Sequence, residues 1–273
     1  MERFQYHALA VGASGRIERP FDEIIPAKAS LALPETGGFG SVRVEHYRFR
    51  EILSFHAAYA VVAGSFSERN GGSHDALATV VIEGLNILGA VTADRIVARI
   101  ASSHPLDPKK ERSITALGSY FENLRIGGIL VNPELAQDTF ARFDNADKVR
   151  NAYLNNEDKF RQEFNGLTLA GEAERVPEHL HKYFPWLNTD PTEQIKAMRG
   201  VITCPLVRHL GCSGAGLKCY GHIVVFEGFG IIRLAELKLT QTSLQIAMVQ
   251  IDLGSTPRGC IAIGGSQGNG SPW

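Results

Sequence analysis

The sequence predicts a mainly β protein, an antiparallel sandwich or barrel-like stack of bulged strands that carries an α-helical insertion. Three observations predict it. A six-residue strand pattern occurs four times, the segments around it alternate apolar and polar residues, and residues 132–199 abandon that alternation for helical spacing.

The four segments are Val44–Phe49 (VEHYRF), Ile82–Ile87 (IEGLNI), Phe121–Ile126 (FENLRI) and Phe226–Ile231 (FEGFGI). Each reads apolar, Glu, His/Gly/Asn, apolar, any residue, apolar. Glu45, Glu83 and Glu122 stand 38 and 39 residues apart, and a near-constant period marks a structural repeat. Before each Glu the apolar residues alternate, as in Val42 and Val44 or Val80 and Ile82, and after it they alternate again, as in Tyr47 and Phe49 or Leu85 and Ile87. Between the two runs the step is three residues. One inserted residue is what a β-bulge adds to a strand, and it keeps the same face inward. The position after the Glu holds His46, Gly84, Asn123 and Gly228, residue types that enter or tolerate positive φ. The glutamates themselves read as solvent-facing, or as acceptors for the bulge's spare N–H, in preference to a calcium ring.

Each bulged strand leads into a second apolar-rich run, Ser54–Phe66 and Ala90–Ser102 being the clearest. Later, Leu234–Thr240 and Leu244–Leu253 flank Gln241-Thr242-Ser243 as a hairpin. Strands at this density without intervening helices favour antiparallel sheets over a parallel α/β fold. In the insertion, Leu135, Phe140, Phe143, Val149, Tyr153, Phe160 and Phe164 recur three or four apart among charges, the mark of amphipathic helices. Pro133 suits a first helical turn and Gly166 a stop. Shorter helical pieces are expected over 177–183 and 191–199. The expected division is one β domain from 1–131 and 200–263, the helical insertion at 132–199, and a flexible Gly/Ser-rich tail at 264–273.

The stretch ATVVIEGLNILGAVTADRIVARIAS (78–102), followed by YFENLRIGGILV (120–131), resembles the repeat of the choice-of-anchor P family of bacterial surface proteins. The likeness covers roughly residues 8–131 and, more loosely, 220–262. It implies an exported β module with no assigned chemistry. The chain departs from the family's pattern in showing no evident signal or C-terminal anchor and in carrying the helical insertion, so the β architecture is what the resemblance transfers.

Composition removes some function classes. Lys+Arg number 28 against 29 Asp+Glu, so no global field draws the chain to nucleic acid or an anionic membrane. The most apolar stretch, His222–Leu237, is interrupted by Glu227, Arg233 and Glu236 and does not make a spanning helix. The N-terminus lacks the apolar block of a secretory signal, so the chain reads as cytoplasmic, with a secreted or cell-surface place if a signal has been removed.

Candidate chemistry is sparse. Cys204, Cys212, Cys219 and Cys260 match no common zinc spacing. They read as buried free thiols, with a Cys212–Cys219 disulfide around the Gly-rich turn, or metal binding, as alternatives. Catalytic candidates are Cys212 or Ser213 as nucleophile, with His209, His181 or His222 as base. His179 and His181 form an H-x-H pair that would share a metal on a strand but diverge on a helix. His56 reads as a hydrogen-bonded core residue. No cofactor motif is present. The leading expectation is a non-enzymatic binding or self-assembly module, as a homo-oligomer or with a protein partner held through the insertion. Its rivals are a hydrolase-like Cys/Ser–His enzyme where the insertion meets the sheet, and a metal-binding protein.

Overall fold

Long alternating segments become long strands. The computed structural model describes residues 4–155, 158–167, 175–187, 191–197, 200–211, 214, 216–254 and 257–272. The chain opens with β1 (Phe4–Arg19) and β2 (Glu23–Ala32), then runs a meander of β3 (Gly38–Phe49), β4 (Leu53–Ser67), β5 (Ser73–Ile87) and β6 (Val91–Pro105). Short strands follow: β7 (Ser113–Thr115), β8 (Tyr120–Glu122), β9 (Arg125–Ile126) and β10 (Ile129–Leu130). With the meander they form one antiparallel sheet in the order β10-β9-β6-β5-β4-β3, with β7 and β8 also on β6. After the insertion come β12 (Ile202–Pro205), β14 (Leu217–Tyr220), β15 (Ile223–Phe226), β16 (Gly230–Leu239), β17 (Ser243–Gly254) and β18 (Arg258–Pro272). These join the first two strands in the order β14-β15-β16-β17-β18-β1-β2, with β12 also on β16. The protein is therefore mainly β and antiparallel, and its sheets do not close into a barrel.

The sheets stack with β1 and β18 against β4, β5 and β6. Their facing residues are small. Ala10, Ala13, Ala58, Ala60, Ala78 and Ala98 are fully buried, and a Cβ on Gly268 would sit 2.8 Å from Cγ2 of Ile100. Two pleated surfaces this smooth approach closely, and β-branched residues such as Val62, Val80, Ile82 and Ile96 fill the remainder.

The step of three residues is present, in a form that spans whole sheets. Glu45 pairs with Ala57 and Tyr47 with Phe55, so one residue on each strand, His46 and His56, is skipped and the register does not slip. Gly84 and Asp94 are skipped in the same way between β5 and β6, and the pairing of β6 with β8 and β9 passes over Asn123 and Leu124. His46, Gly84 and Asn123 take φ of 49°, 63° and 51°. The second sheet carries an equivalent row, with Gly12, Met248 and Gly264 skipped and left-handed backbone at Ala29, Gly264 and Ala235. His56, expected in the core, is exposed because the extra residue at its level turns outward.

The fourth copy behaves differently. Glu227-Gly228-Phe229 is the turn of the β15–β16 hairpin, where Phe226 pairs with Gly230 and the Phe229 N–H donates to the Phe226 carbonyl at 3.0 Å. Two glycines two residues apart reverse the chain: Gly228 has φ 75°, and a Cβ on Gly230 would lie 2.2 Å from the Asp252 carbonyl. Residues 264–272, expected to fray, belong to β18 between β1 and β17. Gly264 and Gly268 serve the close sheet contact, and the Ser266 hydroxyl donates to the Ala98 carbonyl at 3.2 Å.

The insertion is helical as expected, apart from its start. Pro133 opens no helix; it lies in β11 (Asn132–Leu135), which pairs with β13 (Val207–Gly211). A strand in a two-stranded pair has a free edge, where a missing N–H is tolerated. The described α-helices include α1 (Gln137–Arg142), α2 (Ala146–Leu154), α3 (Asp158–Asn165) and α4 (Thr192–Ala197). Asn145 caps α2 by accepting the Lys148 N–H at 2.9 Å, and Gly166 at φ 75° follows α3. The aromatic stripe packs on itself, Phe143 against Phe160 at 4.4 Å and Tyr153 against Phe164 at 5.4 Å. It shares one core with Cys204, Leu237 and Leu239. Arg208 on β13 fastens the insertion to the sheets: its guanidinium donates to Glu134 at 3.0 Å, to the buried Glu163 at 2.7 Å and to Asp138.

Arg208→Met should lower the unfolding free energy by about 3 kcal/mol, because Glu163 is left buried without its partner; urea denaturation reads the change. The kink rows make a graded prediction. Gly84→Ala places a Cβ 2.5 Å from the His56 ring, whereas Gly228→Ala meets nothing within 4 Å. Both incur a left-handed penalty of roughly 1–2 kcal/mol, so the Gly84 variant should be the less stable of the two; equal stabilities would contradict the account.

Candidate functional site

Where β6 ends, the chain leaves the sheet through Pro105 and passes under the helical insertion before returning as β7. This loop, helices α1 and α2, and the β16–β17 hairpin enclose a cavity of about 410 Å³, within the size range of small-molecule sites. Its apolar wall comes from Ile114, Phe140, Phe143, Val149, Leu239 and Leu244. Its polar groups include His104, Arg112, Thr240 and Thr242.

His104 is the unusual member. It is 6% exposed, and neither ring nitrogen has a hydrogen-bond partner among the described residues. Burial first, then the Arg112 charge and His74, push its pKa down to about 4 against a weaker opposing pull from Asp75. At neutral pH the ring is uncharged, with one N–H to donate and one nitrogen to accept. A buried polar group without a partner costs roughly 1–3 kcal/mol. Its cross-strand neighbour His74 is satisfied by the Tyr6 hydroxyl at 2.7 Å and stacks on Phe4 at 4.2 Å.

The charges around the cavity are unevenly engaged. Glu111 and Asp144 both pair with Lys148, at 3.1 and 2.8 Å, and Asp147 pairs with Arg150 at 2.6 Å. Lys148, together with Asn145, holds the Glu111 carboxyl below the usual carboxylate range. Arg112 is exposed and has no ion-pair partner among the described residues. Cys204 also lines the cavity; burial and the Glu236 charge push its thiol far above the ordinary range, so it is protonated and inert.

Apart from Cys204, the described residues singled out from the sequence for chemistry do not line this cavity. Cys212 and Ser213 lie outside the described residues. Cys219 is disulfide-bonded, which corrects its reading as a free thiol, while Cys204 and Cys260 are free. His209 is exposed on β13, in register with Glu134. His179 and His181 sit on the 3₁₀ turn Glu178–Tyr183, where residues two apart point roughly 240° from each other, so the pair does not converge on one ion. His181 Nε2 lies 3.1 Å from the Val176 carbonyl, engaged in its own turn. Among the described residues no group of three or more His, Cys, Asp or Glu gathers in a metal-holding arrangement.

His222 is buried between Phe184, at 5.5 Å between ring centroids, and Glu236, whose Oε2 is 3.9 Å from Nε2. Burial pulls the Glu236 carboxyl up, but His222 and Arg233 outweigh it and hold the group at about 2. Arg233 donates to Glu236 at 2.7 Å, and Tyr183 donates to Asp252 on the neighbouring strand. This cluster joins the 3₁₀ segment to the sheet; it brings no nucleophile beside its histidine among the described residues.

The fold and site define a two-sheet antiparallel sandwich with an end cavity closed by an inserted helical segment. The family model described as Domain of unknown function (DUF8256) matches residues 4–240, and the chain belongs to that family. The match covers the meander, the insertion and β16, and ends before β17. No curated protein and no solved structure matches the chain. No described helix is long and apolar enough to cross a membrane.

The depressed pKa of His104 has a signed consequence. Between its folded value of about 4 and the ordinary histidine value of 6.5, the unfolded chain binds the extra proton. Stability from this group is full above pH 6.5 and is lost as pH falls toward 4. His104→Leu should flatten that part of the stability–pH profile and leave neutral-pH stability equal or higher; an unchanged slope would show that His104 is not its source.

Proposed function

We propose that this protein is a non-enzymatic binding module, in which the sandwich is the scaffold and the helical insertion supplies a wall of the binding site. The observation that carries the reading is the cavity beneath the insertion, apolar over most of its wall, with the partnerless His104 in it. A buried polar group left unsatisfied at a cavity is what a protein retains when something else completes its hydrogen bonds. The described groups lining the cavity do not form a nucleophile–base pair: Cys204 is a buried protonated thiol, and His104 has no hydrogen-bond partner among the described residues. The likeness of residues 78–102 and 120–131 to a β module of bacterial surface proteins agrees with a scaffold role.

The neutral fluorophore N-phenyl-1-naphthylamine is the probe for the cavity itself. It should bind saturably, one per chain, and Thr242→Trp on the exposed hairpin tip should weaken it by about tenfold, equivalent to about 1.4 kcal/mol. Absent or non-saturable binding, or binding indifferent to Thr242→Trp, would overturn the reading.

A further inference from the structure

We propose that the cavity takes a small monocarboxylic acid with an apolar body, its carboxylate held by Arg112 and His104 and its body lying against Phe140, Phe143 and Ile114. The inference rests on the binding-module reading and adds the chemical class of the ligand.

Charge accounting around the cavity supports the class. Glu111 and Asp144 are neutralised by Lys148, and Asp147 by Arg150. Arg112 remains a cation without a carboxylate partner among the described residues, at the end of the cavity that also holds His104. A guanidinium presents a fork of N–H donors matched to a carboxylate, and such charge-assisted bonds are roughly twice as strong as neutral ones. The uncharged His104 ring offers one more donor that no described protein group satisfies. Together these groups suit a single negative charge. A cationic ligand would face Arg112 without any free carboxylate to compensate. A dianion such as a phosphate monoester would bring a second negative charge toward Glu111, Asp144 and Asp147, which line the same cavity with Lys110 and Arg112.

The rest of the wall selects for an apolar body. Phe140, Phe143, Val149, Ile114, Leu239 and Leu244 offer rings and branched alkyl groups. Of the polar residues at the hairpin end, Thr240, Gln241 and Thr242, Thr240 already spends its hydroxyl oxygen on the Ser243 N–H at 2.9 Å. A polyhydroxylated ligand such as a sugar would therefore bury hydroxyls against hydrocarbon without partners.

Isothermal titration calorimetry of the full chain with sodium octanoate, 1-octanol, octylamine and octyl phosphate tests the proposal. Octanoate should bind at least about tenfold more tightly than the other three, the difference expected of one charge-assisted bidentate contact. Arg112→Gln, an exposed loop substitution, should remove most of that advantage while leaving octanol binding unchanged, and Arg112→Lys should restore part of it. His104→Leu should weaken octanoate more than octanol. If octanol, octylamine or octyl phosphate binds as tightly as octanoate, or if Arg112→Gln leaves octanoate unaffected, the carboxylate inference fails and the cavity reading survives. If none of the four binds, both fall.

Discussion

One extra residue, inserted at the same level on strand after strand, is the constraint around which this fold is organised. A lone bulge would set two residues of one strand against one of its neighbour, leave the extra residue unpaired and shift the pairing beyond it by one. Here the neighbours carry the insertion together. Register is kept across the kink from β3 through β9 in one sheet and from β16 through β1 in the other. The left-handed residue that makes the bend sits on alternate strands, at His46, Gly84 and Asn123 and again at Ala29, Gly264 and Ala235. Each strand can then run well past ordinary strand length while its alanines and isoleucines stay on the inner face.

The site follows from that length. β5 and β6 extend beyond the kink far enough to carry His74 and His104 to the end of the sandwich, where Phe4 and Tyr6 of the opposite sheet meet them. The two histidines differ in what they find there. His74 gains a phenol and a stacked ring; His104 lines the cavity and gains only the tilted Phe4 ring at 5.2 Å, with no hydrogen bond among the described residues. The helical insertion enters beside this end, and three of its carboxylates, Glu134, Asp138 and Glu163, gather on Arg208 of β13, so the segment that supplies the far wall is pinned at its base. A second polar cluster, around His222, Arg233 and Glu236, lies instead under the 3₁₀ segment and secures it.

Much of the fold was legible because its signals are local. Period-two alternation marked β3 to β6 and the β16–β17 hairpin, and the Glu-His/Gly/Asn pattern marked three of the left-handed positions in one sheet. The corresponding row in the other sheet was not legible, since Ala29 and Ala235 are alanines held at positive φ by their neighbours and not by their own preference. The C-terminal strand is hard to read from sequence for a related reason: its glycines and serines look like a frayed tail, yet Gly268 and Ser266 are what fits against Ile100 and Ala98. The cavity was the least legible feature. The insertion's contact with the β domain was expected to matter, but the residues picked for it came from local His and Cys motifs. His104 and Arg112 stand in an unpatterned loop-side stretch, and their importance lies in what long-range packing leaves them without.

The most direct measurement is ¹⁵N–¹H correlation of the histidine rings at neutral pH during an octanoate titration. The chain has nine histidines, which makes the spectrum its own control. The account predicts a neutral His104 ring whose resonances move saturably with added ligand while those of His222 and His179 stay still. Movement spread over exposed histidines, or a His104 signal indifferent to ligand at saturation, would contradict it.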